Sequence, residues 1–417
     1  MTKNVVGYRC SICNQEYELD QVQYVCPADG GNLDVILDYQ YIAKGFSPTK
    51  LSSALEPSLW RYLPLLPVND PGGLGTPLRA AGWTPVFTPP SLAHDLNLFH
   101  LWVKDDGRNP TASFKDRASA IVVAHAREIK AEVVVTASTG NAGAALAGMS
   151  AAIGQKAVIF APRTAPPAKI AQLLIFGAQV LLVNGTYDDA FDLTILAANE
   201  FGWYCRNTGY NPYTVEGKKT AAFEIWEQVI LPNKPLFRYQ PLSIFVSVGD
   251  GNIISGIHKG FKDLQALGWL AQMPRIYGVQ AEGSAAIANA FLAGDEKIIP
   301  VAANTLADSI SVDLPRDGVR AVRAAAQTGG NYILVKDEEI LNAITALGNA
   351  GIFAEPAGAT AYAGLIKAVD QGWIGPDIPV LVLNTGSGLK DVKAALQAVH
   401  PAPIIEPTLD AVREIIK

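Results

Sequence analysis

Val133-Val134-Val135-Thr136-Ala137-Ser138-Thr139-Gly140-Asn141-Ala142-Gly143-Ala144-Ala145-Leu146 reads as a strand, a turn of small residues and the start of an Ala-rich helix. The opening run is apolar and β-branched without alternation, the pattern of a strand buried on both faces. The small residues after it let a ligand approach the backbone closely. Free amides at the helix start suit a carboxylate or a phosphate. An ordinary strand-to-helix turn capped by Ser or Thr has the same local sequence.

Outward from this unit the pattern repeats. Strand-length apolar runs recur at Ala157–Ala161, Val180–Val183, Ile244–Val248, Ile276–Val279, Tyr332–Val335 and Val380–Leu383. Helix-period segments lie between most of them: Ala190–Phe201, Gly217–Val229, Ile253–Leu267 and Glu338–Leu347. Strand and helix in alternation imply βαβ units and parallel sheets, an α/β fold. Ligands of such sheets bind beyond the carboxyl ends of the strands.

Composition agrees. The chain has 417 residues, of which 49% are hydrophobic and only 17% charged, enough apolar material for two or three domains. Its 33 basic and 39 acidic residues leave a net charge of −6. That balance argues against a nucleic-acid partner, whose phosphates demand a basic surface. The longest uncharged stretch, Val133–Gln155, is interrupted by Ser138, Thr139, Gly140 and Asn141, so no membrane span is expected. The first residues hold no apolar signal core, and the four cysteines do not form a disulfide framework. A cytoplasmic protein is the expectation. None of the five histidines sits in a motif, so a His-centred hydrolase or metalloenzyme is not expected.

Three more stretches carry chemistry. Asn109-Pro110-Thr111-Ala112-Ser113-Phe114-Lys115-Asp116-Arg117 places a lysine in a hydroxyl-rich, apolar setting at a helix start. Desolvation and the positive helix end favour a neutral amine there, a nucleophile toward carbonyls; a solvated surface lysine is the plain alternative. Ser247-Val248-Gly249-Asp250-Gly251-Asn252 follows a strand with a Gly-rich loop of the kind that cradles phosphate. Asn384-Thr385-Gly386-Ser387-Gly388-Leu389-Lys390-Asp391 repeats that architecture.

Together these motifs resemble the threonine synthase branch of the fold type II pyridoxal-phosphate enzymes, the tryptophan synthase β-like family. The resemblance runs from Gly82-Trp83-Thr84-Pro85 to Lys390-Asp391. It includes Asn211-Pro212-Tyr213, Glu216-Gly217-Lys218-Lys219-Thr220-Ala221-Ala222-Phe223-Glu224, Gln280-Ala281-Glu282-Gly283, Ala307-Asp308 and Glu355-Pro356-Ala357-Gly358-Ala359.

The resemblance implies two open twisted parallel-sheet domains, pyridoxal 5'-phosphate as cofactor, a small amino-acid substrate and a homodimer. On the matching positions it implies that Lys115 forms the Schiff base with the cofactor and that Asn141 bonds the ring oxygen beside it. Gly249, Asp250, Gly251 and Asn252 would hold the cofactor phosphate. Thr385 would face the pyridine nitrogen, and Ser138, Thr139 and Gly140 would grip the substrate carboxylate. The implied reaction is γ-elimination of phosphate from O-phosphohomoserine and β-hydration to L-threonine. A dehydratase or β-replacement enzyme on threonine, serine or an activated serine is the alternative. A non-catalytic amino-acid-binding protein on the same fold is a third reading, which Lys115 argues against.

The sequence departs from the family in several places. Where those enzymes commonly carry a substrate-phosphate Arg, this chain has Thr214; where His is common, it has Ser387. The phosphate loop is one residue shorter than a common form. Lys218 stands where Gln is usual and could restore a positive charge, but lysines are ordinarily solvated and the expectation is that it points outward. The first 36 residues are similar to a zinc ribbon, a segment typical of the longer threonine synthase-like proteins. Cys10-x-x-Cys13 and Cys26 are in place, and Asp29 replaces the fourth cysteine. Structural zinc prefers four Cys or His ligands, so a degenerate, metal-free ribbon is expected. Cys205 reads as a buried core thiol. The expected division is 1–36 for the appendage, 130–225 for a small domain, and 37–129 with 226–417 for a large one.

Overall fold

The structure, a computed structural model, describes residues 3–416. At the N-terminus β1 (Val5–Cys10), β2 (Glu16–Tyr17) and β3 (Leu33–Leu37) pair antiparallel in the order β2-β1-β3. Then come β4 (Val86–Phe87), β5 (Leu101–Asp105), β6 (Val133–Ala137), β7 (Lys156–Pro162), β8 (Gln179–Val183) and β9 (Tyr204–Cys205). β10 (Ser243–Ser247), β11 (Arg275–Ala281), β12 (Tyr332–Val335) and β13 (Val380–Asn384) follow.

Two larger sheets result. β6 to β9 form a four-stranded parallel sheet in the order β8-β7-β6-β9. The other sheet has the order β12-β11-β10-β13-β5-β4. Its first five strands are parallel. The two sheets are the parallel-sheet units expected from the sequence, with β4 added antiparallel to β5 at one edge. A short antiparallel strand at the edge of a parallel sheet is a common arrangement. β6, β10 and β13 are buried at every position, as their unbroken apolar runs imply.

β5 escapes a hydropathy reading because it ends in Lys104-Asp105. Both charges are buried and matched. Lys104 Nζ lies 2.7 Å from Glu224, and Asp105 accepts from the Asn384 side chain at 2.7 Å. The Lys104–Glu224 pair continues into Arg117, which also pairs with Asp106 at 2.6 Å. All of these side chains except Asp105 are sealed from solvent, and Asp105 is nearly so. Removing one member of such a network costs about 3–5 kcal/mol, because an unpaired charge stays buried. The network underlies the helix Lys115–Glu128, which is buried continuously from Asp116 to Ala126.

The expected helix over Gly217–Val229 is instead a succession: Tyr213–Lys218, Thr220–Ile225 and a wider π turn at Trp226–Ile230. Gly217 lets this run press onto the Lys115 helix, since a Cβ there would lie 2.1 Å from Arg117 O.

The N-terminal sheet docks on the body. The Asn32 amide donates to Gly209 O at 2.5 Å and Arg316 O at 3.1 Å. Arg320 pairs with Asp34 at 2.7 Å, and Lys259 donates to Val35 O at 2.9 Å. Among the described residues no helix is long and apolar enough to cross a membrane.

Candidate active site

The carboxyl ends of β6, β10 and β13 carry three of the four motif loops, and the lysine loop joins them. Phe114 N donates to Thr385 O at 2.9 Å, and Ser387 N donates to Ala112 O at 3.0 Å. These two bonds fix the start of the lysine helix against the end of β13. Ala112 holds a left-handed φ of 64°, which costs a non-glycine residue about 1–2 kcal/mol. The Asp116 carboxylate closes the loop by accepting from Thr111 N at 2.6 Å.

After β6 the chain turns sharply at Ser138. A Cβ on Gly143 would lie 2.1 Å from Ser138 O, so the helix Asn141–Ala151 can begin there only with glycine at 143. The Asn141 amide donates to Glu355 Oε1 at 2.7 Å and lies 3.3 Å from Ser309 Oγ.

After β10 the glycines are equally constrained. A Cβ on Gly249 would meet Ile310 Cα at 2.8 Å. Gly251 has φ +87°, and a Cβ there would lie 2.6 Å from Asp317 O. It caps the helix Asn252–Ala266 without a side-chain hydrogen bond, and the first residues of that helix, Asn252, Ile253 and Ile254, line the cavity. Arg316 N donates to the Asp250 carboxylate at 3.2 Å.

These loops surround one cavity of about 520 Å³. Every residue expected at the cofactor or the substrate carboxylate lines it: Lys115, the Ser138–Asn141 turn, the Gly249–Asn252 loop and Thr385. Its size suits a small cofactor with a bound amino acid. A recess of about 100 Å³ adjoins it at Thr139, Gly140 and Asn141 and reaches Glu355 and Lys390.

The electrostatics favour a reactive lysine. Burial lowers the Lys115 pKa, and nearby Arg206 lowers it further, while Glu355 and Asp250 act in the opposite sense. Burial pushes Glu355 up to about 7. Its position is a landmark of the sequence motif, but only the fold reveals its contact with Asn141.

Lys218 corrects the sequence expectation. It does not reach solvent; it is fully buried and lines the cavity. Its Nζ donates to Asn252 Oδ1 at 2.5 Å. Burial first, then Lys115 and Arg206, hold its pKa well below the usual lysine value. The signal was present in the motif, but side-chain direction on a broken helical run cannot be read from spacing. Arg206 adds a second buried cation, with Nη1 on Thr208 at 2.6 Å and Nη2 left without a hydrogen-bond partner among the described residues. Thr214 is buried and spends its hydroxyl on Asn211 O at 2.8 Å. Ser387 caps the short turn Gly388–Lys390. Cys205 is fully buried, as read from the sequence.

The donor set fits pyridoxal phosphate on the observations above. A cavity-facing lysine of lowered pKa, a glycine loop with no room for Cβ atoms at a helix start, and a hydroxyl at Thr385 are all in place.

Comparison with known proteins agrees. The family model for pyridoxal-phosphate dependent enzymes matches residues 78–386. The chain is 38% identical to threonine synthase of Methanocaldococcus jannaschii over 98% of this chain and 99% of that one. It is 37% identical to threonine synthase of Methanosarcina acetivorans over 98% of each. Among solved structures it resembles threonine deaminase isoform 2 of Solanum lycopersicum, with a TM-score of 0.66 and 22% identity over 82% of this chain and 94% of that one. A likeness at that identity speaks for the fold alone. With the cavity and the matched residues in agreement, the chain belongs to the pyridoxal-phosphate-dependent enzymes of fold type II, and pyridoxal phosphate is its cofactor.

Proposed function

We propose that this enzyme is a threonine synthase, a carbon–oxygen lyase that eliminates phosphate from O-phosphohomoserine and adds water at the β-carbon to give L-threonine. The end-to-end likeness to threonine synthases carries the reading. The cavity supports it with the buried Lys218 amine on its wall, which the phosphate of a bound substrate would hold in its charged form.

The bound cofactor supplies an electron sink for the substrate's α-carbon. Residues of the chain do the rest. The Ser138–Asn141 turn offers hydroxyls and backbone amides to the substrate carboxylate. The amides of the Gly249–Asn252 loop take the cofactor phosphate. Thr385 would offer the ring nitrogen a hydroxyl rather than a carboxylate, which would keep that sink moderate. That favours elimination and replacement over transamination. Lys115, held toward its neutral form by burial, would move protons at the substrate's α- and β-carbons through Nζ. The Lys218 ammonium meets the leaving phosphate, the task that Thr214 cannot perform with its hydroxyl committed to Asn211.

That withdrawal of Thr214 also favours a second reading, a lyase or β-replacement enzyme acting on threonine, serine or an activated serine. A substrate panel separates the two. Holoenzyme given O-phosphohomoserine, threonine, serine and O-acetylserine in turn should release phosphate and threonine from the first. A 2-oxo acid or replacement product from the others, with O-phosphohomoserine inert, sinks the proposal. A cytoplasmic homodimer belongs to the same reading; light scattering on the holoenzyme tests the dimer.

A further inference from the structure

The N-terminal sheet brings together side chains that the reaction does not use. Cys10, Cys13, Cys26 and Asp29 each offer one ligand atom, and these atoms all lie within 4.8 Å of one another. They come from two matched turns, Cys10-Ser11-Ile12-Cys13 and Cys26-Pro27-Ala28-Asp29. A backbone bond closes each turn: Cys10 N donates to Gln15 O, and Cys26 N donates to Gly31 O, each at 2.9 Å.

Two of the six separations match those of a tetrahedral zinc site, and the others stay within 4.8 Å. Zinc–sulfur bonds of about 2.3 Å place two sulfurs about 3.8 Å apart, and a zinc–oxygen bond of about 2.0 Å places sulfur and oxygen about 3.5 Å apart. Cys13 Sγ and Cys26 Sγ are 3.7 Å apart. Cys10 Sγ lies 3.3 and 3.5 Å from the two Asp29 oxygens. A disulfide would need sulfurs at about 2.05 Å; all four cysteines are free.

The surroundings favour bound anionic ligands. Ile12 N donates to Cys10 Sγ at 3.3 Å, Gly31 N donates to Asp29 Oδ1 at 2.8 Å, and the Tyr17 hydroxyl lies 3.0 Å from Cys26 Sγ. Such outer contacts orient metal ligands and moderate their charge. Arg323 sits against the first turn, bonded to Ser11 O. Gly31 is required by the cluster, since a Cβ there would lie 2.6 Å from Cys10 Sγ and 2.9 Å from Asp29 Oδ1.

We propose that Cys10, Cys13, Cys26 and Asp29 bind one Zn2+ ion in a closed tetrahedral site, in place of the metal-free ribbon expected from the sequence. With four protein ligands the site has no open position, so its role is structural. It braces the turns beside Asn32, whose amide bridges Gly209 O and Arg316 O next to the catalytic cavity. Three thiolates select zinc over magnesium or calcium.

The test uses the cofactor-loaded full chain. Purified protein should contain zinc, released by a chelator with a fall in melting temperature. Co2+ added to the stripped protein should give sulfur-to-metal charge-transfer absorption and the visible bands of a tetrahedral ion. Asp29→Ala should weaken Co2+ binding by about tenfold or more, and Asp29→Cys should strengthen it. Cys13→Ser, at an exposed position, should keep the cofactor absorbance and reduce the charge-transfer intensity. Absence of these bands in cofactor-loaded wild type would overturn the site. So would a Cys13–Cys26 disulfide in a non-reduced peptide map, and an unchanged Co2+ affinity in Asp29→Ala would remove Asp29 from it.

Discussion

Replacing Lys218 by Met removes one positive charge from the cavity and little volume. Lys218 is fully buried, donates to Asn252 Oδ1 and lines the cavity beside the phosphate loop. A hydrogen bond to a charged group contributes about 1.5–3 kcal/mol. At about 1.4 kcal/mol per tenfold, kcat/KM for O-phosphohomoserine should fall roughly 10- to 150-fold. The fold should survive. Burial already holds the Lys218 pKa well down, so a neutral side chain there avoids a desolvation penalty, and the Asn252 amide keeps its bond to Asp317 at 2.7 Å. The sign of the pH effect follows. A depressed lysine pKa means that the free enzyme loses this proton as pH rises, so wild-type kcat/KM should fall on the alkaline side and the Met variant should lack that limb. The assay is phosphate release under steady state, with bound cofactor measured in the same samples. A change under about threefold with full cofactor content would refute the assignment. Cofactor loss, with normal kinetics once cofactor is resupplied, would instead give Lys218 to the cofactor phosphate.

Four further outcomes are expected. Glu355, raised to about 7 by burial, binds more protons folded than unfolded between its ordinary range and that value. Its contribution to stability is therefore present in acid and lost as pH rises through about 7, and Glu355→Gln should flatten the cofactor-free enzyme's stability between about pH 5 and 8, by at most about 3 kcal/mol in chemical denaturation. Gly251→Ala, at φ +87° and against Asp317 O, should lose at least about 1 kcal/mol and bind cofactor more weakly; Gly348→Ala, in the helix Asp337–Asn349 with open space around it, should instead gain about 0.5–1 kcal/mol. Lys115→Ala should abolish covalent attachment of the cofactor, read by mass spectrometry after borohydride reduction; label still found on that segment would refute the lysine's role.

The fold was legible where hydrophobicity alone decides it. Tyr332–Val335 and the cores of β6, β7, β10, β11 and β13 stand out because both of their faces are buried, while β8, at a sheet edge and partly exposed, stands out by its apolar run alone. β5 did not, since Lys104 and Asp105 look like surface charges until Glu224 and Asn384 are seen to match them. The site followed the same division. The glycines and small residues at strand ends could be read because close approach and positive φ restrict those positions to a few residue types. Lys218, Arg206 and Glu355 could not be placed, because their roles depend on which way a buried side chain points and which distant segment faces it. Asp29 looked like a defect in a ribbon; the turns set its carboxylate 3.3 Å from Cys10.

The central claim is tested most directly by following oxygen. Holoenzyme is incubated with O-phosphohomoserine in water enriched in heavy oxygen, and both products are analysed by mass spectrometry. Elimination followed by hydration breaks the carbon–oxygen bond, so the account predicts threonine carrying solvent oxygen in its hydroxyl and phosphate carrying none. Homoserine with labelled phosphate would reveal hydrolysis at phosphorus, and no product from fully cofactor-loaded enzyme would deny the activity; either result contradicts the account.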